Sequence, residues 1–258
     1  MQRIAHRGLV WYRFAGPGPA FEHALVTRLG GVSAPPFAAL NLGSTVGDDP
    51  AAVAENHHRL WDALALSPEQ VVSPHQVHGK RVAQVSTARG GCVIAETDAF
   101  ITATPGLALL LRFADCTPVL LYDAMQRAAG LIHAGWRGVA AGVVPATVQA
   151  MTGAFGTRPA TLWAGIGPAI GPEHYEVGRE VVAAIAATLP EGTSVAEQRA
   201  GRWYLDMPGA VAAQLARAGV SQIERSGFCT ASRTDLWYSH RAEQGRTGRF
   251  GVVVRLAE

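Results

Sequence analysis

Between Val71 and His133 the chain strings together six short runs rich in Val, Ile and Leu, with turn residues between them. These are Val71–His78, Arg81–Val85, Asp98–Thr102, Leu107–Phe113, Pro118–Tyr122 and Ala129–His133. Runs of this length and composition read as strands, and so many in succession exclude a regular alternation of strand and helix. Helical spacing is confined to either side. Asp48-Asp49-Pro50 is a helix start, with an acidic cap and proline at the first position. Val53, His57, Leu60, Trp61 and Leu64 then recur at the helical repeat to about Leu66. Later, Gly138–Phe155, Glu176–Leu189 and a segment capped by Asp206 and ending at Gly219 read as helices. Further strands are expected at Phe21–Thr27, Thr161–Ile166, Gln222–Ser226 and Arg249–Leu256. The pattern predicts an α+β fold: a large mixed sheet, or two packed sheets, covered outside by helices.

Composition bounds the partners. The 258 residues are 48% apolar, enough to bury the core of one large domain spanning 1–258. Gly16-Pro17-Gly18-Pro19 sets off residues 1–19 as a peripheral N-terminal segment. With 22 basic and 20 acidic residues the formal charge is only +2, so no overall field demands nucleic acid or an anionic membrane. Lys80 is the only lysine, which makes Schiff-base chemistry improbable. Cys92, Cys116 and Cys229 are odd in number and widely spaced; they form no disulfide framework and point to a reducing compartment. The N-terminus interleaves Arg3, Arg7 and Arg13 with apolar residues and offers no signal-peptide core. Gly138–Thr157 is uncharged and near membrane length, but Pro145, Gln149 and three threonines mark it as an internal helix. The expectation is a soluble cytoplasmic protein, monomeric or weakly dimeric.

Three segments carry the chemistry: Gln76-Val77-His78-Gly79, Ala114-Asp115-Cys116 and His133-Ala134-Gly135-Trp136-Arg137-Gly138. One thiol and two imidazoles can hold a catalytic zinc with an open coordination position, or the thiol and an imidazole can form a nucleophilic pair. In a strand Gln76 and His78 share the face opposite His75 and Val77, so His75 is set aside as a ligand. Asp115 and Cys116 point apart unless the strand breaks there, as Thr117-Pro118 suggests. A trigonal copper centre would add a distant methionine. Neither Met125 nor Met151 has an axial placement, so zinc is preferred, with copper possible at the same ligands. Cys116, His133, Asp115 and Arg137 are the catalytic candidates, Arg137 as an anion clamp beside a metal. Arg28, like Arg137, has two readings, an anion clamp or a side chain that simply stacks and snorkels, and Gly30-Gly31 can offer backbone N–H groups to an anion. Cys92 and Cys229 read as small core residues. The doubled turn Ile166-Gly167-Pro168-Ala169-Ile170-Gly171-Pro172 reads as a rigid loop, and Tyr238–Arg241 as a pocket closure or a polar turn.

Several segments together resemble one family. They are Thr27–Ser33 (TRLGGVS), Leu40–Gly43 (LNLG), Gly47–Pro50 (GDDP), Gln76–Gly79, Ala114–Val119 (ADCTPV), His133–Gly138 (HAGWRG), Ile166–Pro168 (IGP) and Thr247–Arg249 (TGR). In this order, from about Phe21 to Arg255, they are similar to the YfiH-type laccase-domain proteins, called multicopper polyphenol oxidases and purine nucleoside phosphorylases. The resemblance implies a four-layered α/β/β/α sandwich of mixed sheets with outer helices, shared with toxin-type deamidases. It implies a metal site with ligands His78, Cys116 and His133. It also implies phosphorolysis of adenosine, guanosine and methylthioadenosine, together with adenosine deamination. Copper-dependent phenol oxidation and editing of peptidoglycan precursors are further activities described for members. Purine nucleoside and phosphate are then the partners, and Arg28, Gly30, Gly31, Asn41 and Gln76 the substrate-binding candidates. The chain departs from the family pattern at His57 and Ala242, where arginines are common. A multicopper centre needs many histidines, typically in His-x-His pairs, and the nine here include no such pair. The usual deaminase signature is absent as well, so deamination would require Asp115 or Asp98 to move protons. A metal-free pair, Cys116 as nucleophile and His133 as base, would instead make a hydrolase or amidase.

Overall fold

Alternation along neighbouring strands explains how the chain stacks its layers. In β8 (Ala108–Phe113), Leu109, Leu111 and Phe113 enter one core while Ala108 and Leu110 enter another. In β9 (Thr117–Asp123), Leu120 and Tyr122 join the first of these, and Val119 and Leu121 a third. Successive side chains leave a strand on opposite faces, so both strands are buried on both sides and read as unbroken apolar runs.

The computed structural model describes residues 1–87 and 90–258. One sheet has seven strands in the order β1 (Gln2–His6), β2 (Leu9–Arg13), β3 (Phe21–Val26), β16 (Phe250–Leu256), β8, β4 (Val71–Pro74) and β6 (Val93–Ile94). It is antiparallel from β1 to β8 and parallel beyond. The other has six strands in the order β15 (Gln222–Arg225), β11 (Trp163–Ile166), β9, β10 (Ala128–Ala134), β7 (Ala99–Thr102) and β5 (Val82–Gln84), parallel only at its two ends. Phe21, Phe100, Leu111, Leu120, Leu131 and Val252 fill the space between them. Leu60 and Ala63 of α1 (Pro50–Ala63) cover the far face of the first sheet, against Leu110 and Val253. On the far face of the second, α3 (Val143–Phe155), α4 (Arg179–Ala186) and α5 (Met207–Arg217) bring Met151, Ile185 and Leu215 onto Val119, Leu121 and Ile132. Two mixed sheets with helices outside are the α+β architecture expected. Among the described residues no helix is long and apolar enough to cross a membrane.

Several boundaries depart from the spacing. The helix expected over 138–155 is two, α2 (Trp136–Ala140) and α3, broken at Gly142 with φ 87°. Pro145 has no N–H to give, which only the first turn of a helix tolerates, so a new helix must start just before it. The helix expected over 176–189 starts only at Arg179, because β12 (Glu176–Val177) pairs with β14 (Arg202–Leu205), itself paired with β13 (Ala196–Arg199). The strand expected over 71–78 stops at Pro74 and leaves His75–Gly79 as a loop. Within the segment expected to be peripheral, β1 is an exposed sheet edge, but β2 buries Leu9, Val10 and Trp11.

Candidate metal centre and its cavity

His78 sits in the loop after β4, Cys116 in the break between β8 and β9, and His133 near the end of β10 opposite Pro118. Their ligand atoms all lie within 4.8 Å of one another, and the two imidazole rings meet edge to face with centroids 4.8 Å apart. Gly135 makes room for the cluster. A Cβ there would stand 2.9 Å from His78 Cδ2 and 3.2 Å from Cys116 Sγ.

One member of the cluster and one neighbour hold left-handed backbones, His78 at φ 59° and Asp115 at φ 84°. Such conformations persist only where surrounding contacts enforce them, and here those contacts are visible. The turn at His78 presents three consecutive N–H groups, of Val77, His78 and Gly79, to the buried Asp98 carboxylate at 3.2, 2.9 and 2.7 Å. The same carboxylate accepts from His133 Nδ1 at 2.8 Å, which leaves Nε2 as the nitrogen available to an ion. Asp115 turns away from Cys116. It accepts from Thr230 Oγ1 at 2.6 Å, Ser239 Oγ at 2.7 Å and the Arg241 N–H at 2.7 Å, so it ties the 230–241 segment to the β8–β9 break.

The electrostatics follow from these contacts. Burial resists ionisation of Cys116, but the charge of His133 and hydrogen bonds from His133 and His78 outweigh it and bring the thiol down to about 6. Burial also resists protonation of His133; the Cys116 thiolate and Asp98 outweigh it and lift the imidazole to about 9. Burial works against the Asp98 anion too, yet His133 and the N–H groups of Gly79 and Val77 hold its carboxyl below the usual range. Without an ion, thiolate and imidazolium sustain each other. A divalent cation held by these residues would take the place of that proton, since metal ligation requires thiolate and neutral imidazole. One thiolate, two imidazoles and a carboxylate behind one of them are a donor set that fits zinc.

The cluster opens into a cavity of about 640 Å³, within the size range of small-molecule sites. Arg112, Arg137, Arg241 and Arg249 line it, and among the described residues Asp115 is its only carboxylate. Arg112 donates to Ser73 Oγ, Arg249 to the Thr247 and Gly248 carbonyls, and Arg241 to the Glu176 carbonyl. Arg137 lies exposed with its guanidinium 4.4 Å over the Trp136 ring and has no ion pair among the described residues. Burial and the Cys116 thiolate push the Tyr175 phenol up to about 12, so it stays a donor at the cavity wall. A larger groove of about 790 Å³ runs between α3 and α5, but Arg217 is the only ionisable residue lining it.

Residues 22–257 match the family described as multi-copper polyphenol oxidoreductase laccase. The chain belongs to this laccase-domain family. It is 43% identical over 249 residues to a purine nucleoside phosphorylase of Streptomyces griseus, covering 96% of this chain and 99% of that one. A purine nucleoside phosphorylase of Deinococcus radiodurans is 42% identical over 241 residues, 93% of this chain and 91% of its own. Among solved structures, YlmD of Geobacillus stearothermophilus superposes with a TM-score of 0.93 at 34% identity, covering 97% of both chains. YfiH of Bacillus licheniformis gives 0.92 at 30% identity, with the same coverage of both chains, 97%.

Within the laccase-domain fold, His78, Cys116, His133, Asp115, Arg137 and Gln76 all reach the cavity. Arg28, Gly30, Gly31 and Asn41 are not among its lining residues. The anion-clamp reading of Arg28 is corrected by its contacts: Nε donates to the Ala38 carbonyl at 2.8 Å, and Nη1 to the Thr234 carbonyl and to Glu243, both at 2.9 Å. The guanidinium also lies 4.3 Å over the Tyr238 ring. Gly30 and Gly31 serve close packing, because a Cβ on either would stand 2.2 Å from a carbonyl oxygen, of Gly8 and Ala39 respectively. The Asn41 amide is fully buried and engaged on both atoms, by Gly43, Asp48 and the Arg249 N–H. Gln76 faces the cavity, but its amide pairs with the Arg112 backbone at 2.9 and 3.0 Å. Tyr175 is absent from the sequence-derived site; Asp98 entered it only as an alternative proton carrier, and Arg241 only within a pocket closure or polar turn. Tyr175, Arg241 and Arg249 line the cavity, while Asp98 lies behind His133 and the His78 turn. Met207, not Met125 or Met151, is the methionine at the cavity.

Proposed function

We propose that the protein catalyses phosphorolysis of purine nucleosides, with adenosine, guanosine and methylthioadenosine as substrates and zinc held by His78, Cys116 and His133. The observation that carries this reading is the pairing, in one cavity, of a Cys/His/His donor set with the unpaired guanidinium of Arg137. The names of relatives at about 40% identity agree with it. In phosphorolysis a phosphate oxygen bonds to C1′ of the ribose, the bond from C1′ to the base nitrogen breaks, and the base leaves with a proton. Arg137 holds the phosphate through paired N–H donors, and Arg241 and Arg249 add positive potential around it. Held this way, the anion faces the positive charge that grows on the ribose. Tyr175, protonated at neutral pH, supplies a hydrogen-bond donor to the sugar or base. Zinc, when bound, supplies a Lewis acid. Asp98 acts on the ligands: it fixes His133 Nδ1 and the His78 loop.

Adenosine deamination at the same centre is the slower activity. It needs a carboxylate to carry protons, and Asp98 and Asp115 are both filled with donors. Incubation with adenosine and phosphate separates the two, giving adenine for phosphorolysis and inosine for deamination. Inosine alone, or no phosphate dependence, would overturn the assignment. The depressed thiol of Cys116 against the raised imidazole of His133 favours one second reading, a metal-free hydrolase or amidase acting on peptidoglycan precursors. Stoichiometric zinc that disappears in Cys116→Ala supports the first; activity in metal-stripped protein supports the second. Phenol oxidation by a single copper at the same ligands ranks last, for want of His-x-His pairs.

A further inference from the structure

A second set of metal-ligating side chains lies on the surface at the side of the cavity. Glu173, His174 and Cys229 bring one ligand atom each to within 4.8 Å of the others. Cys229 Sγ stands 3.6 Å from His174 Nδ1. A tetrahedral zinc with ordinary bonds to sulfur and nitrogen spans about 3.6 Å between those two atoms, so this pair already has the separation the ion requires. Two further features favour an ion over a chance contact. The Gly171 N–H donates to Cys229 Sγ at 3.1 Å, which fixes the sulfur in place beside the imidazole. Gly171 also keeps the space between the ligands open: a Cβ on it would lie 2.6 Å from Glu173 Oε2 and 3.2 Å from Cys229 Sγ. Ser232 Oγ, 3.4 Å from His174 Nδ1, is the one neighbouring hydroxyl that competes for the imidazole.

We infer that Glu173, His174 and Cys229 form a second binding site for a thiophilic divalent cation, of the zinc class. Three protein ligands leave the fourth position to water. The site joins two segments that frame the cavity. Tyr175, next to His174, lines the cavity, and Thr230, next to Cys229, holds Asp115. Already the two strands of chain touch through the Ala169–Cys229 bridge and the Thr230 N–H to Ala169 carbonyl bond. An ion at Cys229 clamps them a second time, so occupancy stiffens the wall that carries Tyr175 and Asp115. The inference stands whether or not the cavity phosphorolyses nucleosides.

Cobalt titration of the full chain tests it, because a thiolate bound to Co²⁺ shows charge-transfer absorption in the near ultraviolet. The Cys116→Ala protein should still take up one ion with that absorption. His174→Ala added to it, or Cys229→Ser, should abolish both. His174 is exposed, so its variant keeps the test open should Cys229→Ser fold poorly. Zinc should also raise the melting temperature of Cys116→Ala and not of Cys116→Ala/His174→Ala. The inference is overturned if folded Cys116→Ala binds no ion. It is equally overturned if the absorption survives His174→Ala, as binding at the exposed Cys92 would allow.

Discussion

Asp98 and Asp115 are two carboxylates in the same cavity region with different work. Asp98 lies far from Cys116 in sequence, yet it touches the ligand set, holding His133 Nδ1 and the three N–H groups around His78. Asp115 is the immediate neighbour of Cys116, yet its left-handed backbone turns it toward Thr230, Ser239 and Arg241. Adjacency along the chain therefore misleads about coupling, and hydrogen bonding decides it. One carboxylate positions the candidate ligands His78 and His133; the other ties the 230–241 segment to the cavity wall.

The sharpest way to break that contrast is to neutralise each in turn. Asp98→Asn should lower zinc affinity about 10–100-fold, the usual cost of losing a group behind a metal-bound histidine, measured by competition with a chromogenic chelator. Asp115→Asn should leave zinc affinity unchanged and raise KM for nucleoside. Equal zinc loss in both variants would erase the distinction. Next in size, Gly135→Ala drives a methyl group between His78 and Cys116, and about 1–3 kcal/mol of forced packing should appear as tenfold or greater loss of zinc affinity by the same titration. Arg137→Ala should raise KM for phosphate about tenfold, the worth of a lost charge-assisted hydrogen bond. Arg28→Ala should leave phosphate KM alone and lower the melting temperature, since Glu243 loses its ion pair and keeps only Ser239 and Thr247. The smallest effect concerns pH. Burial and the Arg112 charge pull His57 down to about 4, against its hydrogen bond to the Leu42 carbonyl. The unfolded chain binds a proton near pH 6.5 that the native chain refuses until about 4, so stability falls as pH drops through that window. The wild-type protein should lose about 1 kcal/mol more than His57→Gln between pH 7 and 5.5, read from denaturant midpoints.

What the sequence made legible follows from burial. Strands such as β8 and β9, packed on both faces, announce themselves as apolar runs, and the α1 cap at Asp49 is visible because its side chain accepts the Ala51 N–H. β13 is a polar strand, Ala-Glu-Gln-Arg, mostly exposed, and its alternation carries no signal. The ligand triplet could be read because each member sits within two residues of a glycine or a chain break. Arg28 could not, because its partner Glu243 lies 215 residues away, and a motif arginine beside two glycines looks the same whether it grips phosphate or a carboxylate. The positioning role of Asp98 went unread for the same reason: nothing local to Thr97-Asp98-Ala99 reveals that the His78 turn folds back over it.

The position of Phe250–Leu256 has a consequence for how the molecule is made. This strand, the final one along the polypeptide, slots between β3 and β8 in the interior of the larger sheet. During translation β3 and β8 therefore emerge with no neighbour to join them, and each waits with an open edge of the kind that invites aggregation. A premature stop between His133 and Phe250 splits the sheet into two orphaned halves, although every residue of the His78, Cys116 and His133 set has already been synthesised.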